Sequence, residues 1–264
     1  MRWPGRWQDT LLRYLPAVAV FVAVLAAWEL AGSSTVLPRP SAIGSALVEN
    51  WSSGRWPLFE AARNTLTEAL IGLGLGTMLG VLTGAAVARW ATARDAVLPI
   101  AIAANAVPII AFAPIMNLWF GATNPLSKAA IAAVLVFFPI FINVVRGLSA
   151  VDPAAIELMR AFAASEGAIL RKVRIPTALP YFLTGLKVST TLCLIGAIVG
   201  EYFGGASDVI GRVVVQSASA LRWDVTWAAI LFGAVAGIAL YLVVVGIERV
   251  VIPWHASVRG EEAR

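Results

Sequence analysis

The chain has 264 residues, of which 59% are hydrophobic and 13% charged, with a mean hydropathy of +0.83. That balance excludes an ordinary soluble globular domain, in which about 25% of residues carry charge. The net charge of +5 sits among long apolar runs, so it reads as membrane topology and argues against nucleic-acid binding.

Six apolar runs, at roughly 15–32, 66–88, 98–120, 129–147, 181–203 and 225–247, approach the ~20 residues that cross a hydrocarbon core. They are continuous Leu, Val, Ala and Ile without the alternation of a membrane β-barrel. The expected fold class is therefore all-α and polytopic, with six transmembrane helices in a single transmembrane domain spanning 1–264. With the N-terminus inside, thirteen Lys and Arg fall on the inner side and six on the outer, Lys187 being left uncounted. This asymmetry predicts that both termini and the charged segment 148–178 lie in the cytoplasm.

The basic start and the first apolar run look like a secretory leader, yet no small-x-small cleavage pattern follows Trp28-Glu29-Leu30, so a retained helix is expected. Leu37-Pro38-Arg39-Pro40-Ser41 opens an outer segment, and 57–70 reads as a short amphipathic helix entering the membrane. In the second span Gly72, Gly76, Gly80 and Gly84 repeat every fourth residue, giving a bare helix face suited to close packing, or to sliding.

The third span is interrupted by Asn105, Pro108, Pro114 and Asn117, and the fourth by Pro139 and Asn143. Proline removes a backbone donor, and an amide in hydrocarbon needs a partner. Asn105, Asn117 and Asn143 are thus either bonded to neighbouring helices or line a polar pathway. Glu201, near the outer end of the fifth span, lies at the headgroups or inside the bundle. In the second case Arg212 or Arg222 is its expected partner, and it belongs to the pathway and an outer gate. Trp28, Trp119, Trp223 and Trp227 sit near span ends, as interfacial anchors do. Cys193, the one cysteine, reads as a small core residue.

The 148–178 segment is the polar island of the chain. Asp152-Pro153 predicts an N-cap and first turn, starting a helix over 153–163. Ile156, Met159 and Ala163 would share its apolar face, with Glu157 and Arg160 on another. Ser165 is a second N-cap, with Glu166 in the first turn and Arg171, Lys172 and Arg174 at the basic end. Ile175-Pro176 and Leu179-Pro180 are expected to stop this helix before the fifth span. From physical chemistry alone the segment either docks a soluble partner or lies on anionic lipid.

The spacing from Glu157 through Ala163 to Ile175-Pro176 resembles the EAA loop of ABC-importer permeases, with Leu158-Met159 in place of two alanines and Ala163 in place of glycine. Leu37-Pro38-Arg39-Pro40-Ser41, Asn105-Ala106-Val107-Pro108, Leu118-Trp119-Phe120-Gly121 and Phe137-Phe138-Pro139 are similar to landmarks of the nitrate/sulfonate/taurine-type permeases. The run Leu179-Pro180-Tyr181-Phe182-Leu183-Thr184-Gly185-Leu186-Lys187 with Val199-Gly200-Glu201-Tyr202 resembles the pyrimidine-precursor or riboflavin branch.

The resemblance implies a type I ABC importer permease in a bacterial inner membrane. It implies a second permease copy, an ATP-binding cassette subunit inside, an extracytoplasmic solute-binding protein outside, and a small polar or anionic organic cargo. It places the coupling helix and its ATPase contact at Glu157, Met159, Arg160, Phe162, Ala163, Ala164 and Ser165. Alanine disfavours the positive φ that glycine accepts, so the bend at Ala163 is expected to shift or become helical.

No Gly-x-x-x-x-Gly-Lys-Ser/Thr loop occurs, and Gly185-Leu186-Lys187-Val188-Ser189 lacks its first glycine. ATP would therefore be used by the partner subunit, with no cofactor bound directly and no enzyme activity in this chain. His255, the only histidine, has no companions for a metal site or for His-based catalysis. A secondary transporter or channel is the competing class. It calls for inverted repeats or an intramembrane charge relay. Neither is legible, and Glu201 and Lys187 are too far apart on one helix to pair.

Overall fold

The computed structural model describes residues 6–32 and 36–254; His255 and the tail to Arg264 lie outside them. Eleven α-helices follow one another, with no strand among the described residues. In chain order they are α1 (Arg6–Ala31), α2 (Pro40–Glu49), α3 (Leu58–Ala88), α4 (Ala91–Ala104), α5 (Ala113–Phe120) and α6 (Pro125–Ser149). Then come α7 (Pro153–Ala161), α8 (Glu166–Ile169), α9 (Ile175–Phe203), α10 (Ile210–Ser219) and α11 (Trp223–Val251).

Among the described residues five helices are long and apolar enough to cross a membrane: Tyr14–Ala31, Leu58–Ala88, Pro125–Ser149, Glu166–Phe203 and Trp223–Val251. The third expected span is instead a broken one. α4 ends with Asn105 as its C-cap, a 3₁₀ turn covers Ile109–Phe112, and α5 follows with Pro114 in its first turn. Pro108 lacks the N–H that would continue the ladder, so the chain restarts instead of kinking.

Two further expectations are corrected. Residues 57–70 are the opening turns of the uninterrupted α3. Ile175-Pro176 and Leu179-Pro180 do not stop the helix begun at Ser165, which runs on as one 38-residue element, Glu166–Phe203. A π turn at Leu170–Arg174 makes this possible. The N–H of Ile175 reaches back five residues to Leu170 O, and this wider turn relieves the clash between the Pro176 ring and the preceding carbonyls.

α6 is the central helix, because glycine faces of α3 and α9 press on it from two sides. A methyl group added at Gly76 would lie 2.5 Å from Ala133 O and 2.7 Å from Val136 Cβ, and at Gly80 it would lie 2.9 Å from Ile140 Cβ. On the other side a methyl at Gly196 would lie 2.8 Å from Ala132 Cα, and at Gly200 2.9 Å from Ile131 Cδ1. The four-residue period of α3 is therefore a packing seam. Lipid offers no hydrophobic drive between helices, so dispersion over such close contacts is what holds these three together. Ala132, Val136 and Ile140 are buried completely between them, and Cys193 is buried in the same cluster, as a core residue.

α7 and α8 project at one end of the bundle, the island end. At the opposite, distal end α2, α10 and the tip of α5 cover the helix ends. The Val36–Ser41 turn is fixed there by four bonds. Glu29 accepts from Ser41 N–H (3.0 Å) and Oγ (2.7 Å), Arg39 Nε donates to Gly32 O (2.9 Å), and Trp227 Nε1 donates to Val36 O (3.0 Å). Trp227 also meets Trp28 edge-on at 5.9 Å. These contacts seat α1 against α2 and α11.

Candidate functional site: the projecting loop and the buried charges

The island end carries the expected short helix α7 and, past a bend, the second expected helix start at Ser165, which opens the long α8–α9 element. Asp152 Oδ1 accepts from Ala154 N–H at 2.9 Å, with Pro153 in the first turn, and Ser165 Oγ accepts from Ala168 N–H at 3.3 Å. Each cap satisfies a donor that the start of a helix leaves free.

The bend between them is set at Ala163, whose φ of 54° is left-handed. Ala163 N–H bonds Arg160 O at 2.9 Å, and Ala164 N–H bonds Met159 O at 3.0 Å. That is the paired hydrogen-bond closure of a helix C-terminus for which glycine is the usual residue. α7 thus ends at Ala161, and the bend keeps its place despite the alanine. An L-residue accepts this at a cost of ~1–2 kcal/mol. Because Ala163 lies past the helix, it leaves the apolar face on which the sequence put it. Ile156 and Met159 remain there, half-buried, while Glu157, Arg160, Phe162, Ala163 and Ser165 are exposed and Ala164 is half-buried.

Arg160 turns away from Glu157 and bonds Glu166 across the bend at 3.0 Å. Both side chains are open to solvent, so this pair is worth at most ~1 kcal/mol. The outward face is instead apolar: Leu158 is 59% and Phe162 78% exposed, one turn apart on the same stripe. Leu158 was not among the residues that the sequence placed on this surface. Its spacing to Phe162 on a capped helix was the available clue.

The four pathway candidates separate. Asn105 is the exposed C-cap of α4. Asn143 donates to Pro139 O of its own helix at 2.8 Å and packs on Gly185. Asn117 and Glu201 converge at the distal end, where Glu201 is completely buried. Neither expected arginine forms an ion pair with it among the described residues. Arg222 is held by Asp224 through two bonds of 3.0 and 2.9 Å, and Glu201 Oε2 accepts from Gly211 N–H at 2.6 Å. Lys128, placed by sequence in an outer loop, is fully buried on α6. It donates to Asn117 Oδ1 at 3.3 Å, to Ser127 Oγ at 2.9 Å and to Ala122 O.

A largely buried charge pair joins α9 to α11. Lys187 Nζ lies 2.9 Å from both carboxylate oxygens of Glu248. The sequence hid this pair because its members are 61 residues apart.

Residues 76–255 match the family described as binding-protein-dependent transport system inner membrane component. The chain belongs to that family, as an ABC-importer permease subunit of the inner membrane. It is 30% identical over 239 residues to the formylaminopyrimidine transport permease ThiX of Halalkalibacterium halodurans, covering 89% of this chain and 94% of the relative. It is 32% identical over 270 residues to the putative aliphatic sulfonates transport permease SsuC of Bacillus subtilis, covering 97% and 92%. Its fold is similar to a chain of a bacterial alginate ABC transporter solved in complex with an alginate-bound periplasmic protein. That match has a TM-score of 0.55 at 17% identity, covering 93% of this chain and 98% of the other.

Proposed function

We propose that this chain is the membrane half of an ATP-driven importer. In this reading 148–178 is a cytoplasmic loop on a single transmembrane domain with both termini inside, and α7 docks on a separate ATP-binding subunit. The observation that carries it is the exposed Leu158/Phe162 pair on a helix fixed at both ends by its caps. A rigid apolar stripe outside the bilayer is a surface for a protein groove. Glu157, Met159, Arg160, Ala163, Ala164 and Ser165 surround it and complete the contact. The partner consumes the ATP, a second permease copy forms the other half of the pathway, and an extracytoplasmic binding protein delivers cargo.

The cargo is a small polar or anionic organic solute. Likeness to the sulfonate permease over nearly the whole chain supports a sulfonate-like anion. Likeness to ThiX supports a second reading, a pyrimidine precursor or riboflavin-like vitamin. Reconstitution with the ATP-binding subunit and binding protein tests the proposal, using labelled sulfonates, pyrimidine precursors and riboflavin. Uptake is expected only with all components and ATP, and for one cargo class. Uptake by the chain alone, driven by an ion gradient, would make it a secondary transporter.

A further inference from the structure

At the distal end, two carboxyl groups from different helices meet. Glu68 of α3 is 5% exposed and Glu201 of α9 0%, and their carboxyls lie within hydrogen-bonding reach of each other. Glu201 Oε2 is occupied by Gly211 N–H, whereas Glu201 Oε1 and Glu68 Oε2 receive nothing.

The charged groups facing this pair are Lys128 of α6, Arg212 of α10 and Asp208 just before α10, with the Tyr202 phenol beside Glu201. Lys128 has three N–H donors, and it directs them to Asn117, Ser127 and Ala122. Asp208 is engaged by Asn64, whose Nδ2 lies 2.8 Å from Oδ2. Arg212 forms no ion pair with either glutamate among the described residues. Thr65 Oγ1 accepts from Ile210 N–H at 2.9 Å and turns its own hydroxyl to Glu201, which still leaves Glu201 Oε1 and Glu68 Oε2 without a donor.

An ionised carboxylate only accepts hydrogen bonds, so two ionised groups here would set repelling, unpartnered oxygens against each other in a buried site. A single proton supplies the missing donor and leaves one negative charge beside Lys128. We propose that Glu68 and Glu201 share one proton, and that this acid–carboxylate bond joins α3 to α9 across the distal end of α6.

Infrared spectroscopy of the purified full chain in lipid tests this. At neutral pH the wild type is expected to show the carbonyl stretch of a buried protonated carboxyl, shifted in D2O. Glu68→Gln and Glu201→Gln should each lose it, because a glutamine amide donates to the remaining carboxylate and removes the need for the proton. A band retained in both variants would overturn the proposal. Should the variants not fold, the wild type decides alone: loss of the band in one step as pH rises supports the shared proton, and absence of any such band at neutral pH refutes it.

Discussion

Gly76→Leu is expected to prevent assembly of a stable bundle, while Gly74→Leu, two residues away, leaves it intact. Gly76 faces α6 so closely that a methyl group would already lie 2.5 Å from Ala133 O. That atom is backbone in the middle of a helix, and it cannot move aside without displacing α6. Overpacking in a tight core costs ~1–3 kcal/mol when side chains can adjust, and here the backbone must separate. Separation also removes the close contacts along Gly72, Gly80 and Gly84, which take the place of a hydrophobic drive in lipid. Gly74 has nothing within 4 Å of an added methyl and lies on the exposed side, so leucine there meets only lipid or detergent. Monodisperse yield and thermal midpoint in detergent measure the contrast. Equal behaviour of the two variants would mean that the α3–α6 seam is not what holds the bundle.

Removing either member of the Lys187–Glu248 pair should be nearly as damaging. The two side chains are 22% and 9% exposed, so Lys187→Met strands a carboxylate in an apolar setting. Breaking a buried pair from one side typically costs ~3–5 kcal/mol, with the part-exposure of Lys187 drawing the value toward the lower end. Replacing both removes the stranded charge, and such double replacements are often near neutral. Lys187→Met/Glu248→Met is therefore expected to recover most of what Lys187→Met loses in thermal midpoint. Additive losses in the double variant would show that the two residues act separately.

Much of the architecture was legible because apolar length and glycine period are local properties. The membrane class, the α3 seam, and the caps at Asp152 and Ser165 each follow from residues close in sequence. The continuous α8–α9 helix was not legible. Pro176 and Pro180 read as stops, and only the π turn at Leu170–Arg174 shows how the backbone accommodates them. Ala163 misled in the opposite way: its own preference argues against a left-handed turn, but the bonds of Ala163 and Ala164 to α7 hold it there. The buried charges were hidden for a third reason. Glu68, Lys128 and Glu201, or Lys187 and Glu248, are brought together by packing between distant helices, which no short-range pattern encodes. Leu158 was passed over as a departure from a motif, although its exposure beside Phe162 makes it the more informative residue.

The docking role of α7 is tested most directly by proximity. Cys193 is buried, so Phe162→Cys offers one accessible thiol, to which a photoactivatable maleimide can be attached. In membranes containing the co-expressed ATP-binding subunit, light should link position 162 to that subunit. The same label on Leu221→Cys, 69% exposed in the wild type at the distal end, should not capture it. Capture from 221 and not from 162 would contradict the assignment of α7 as the ATPase contact.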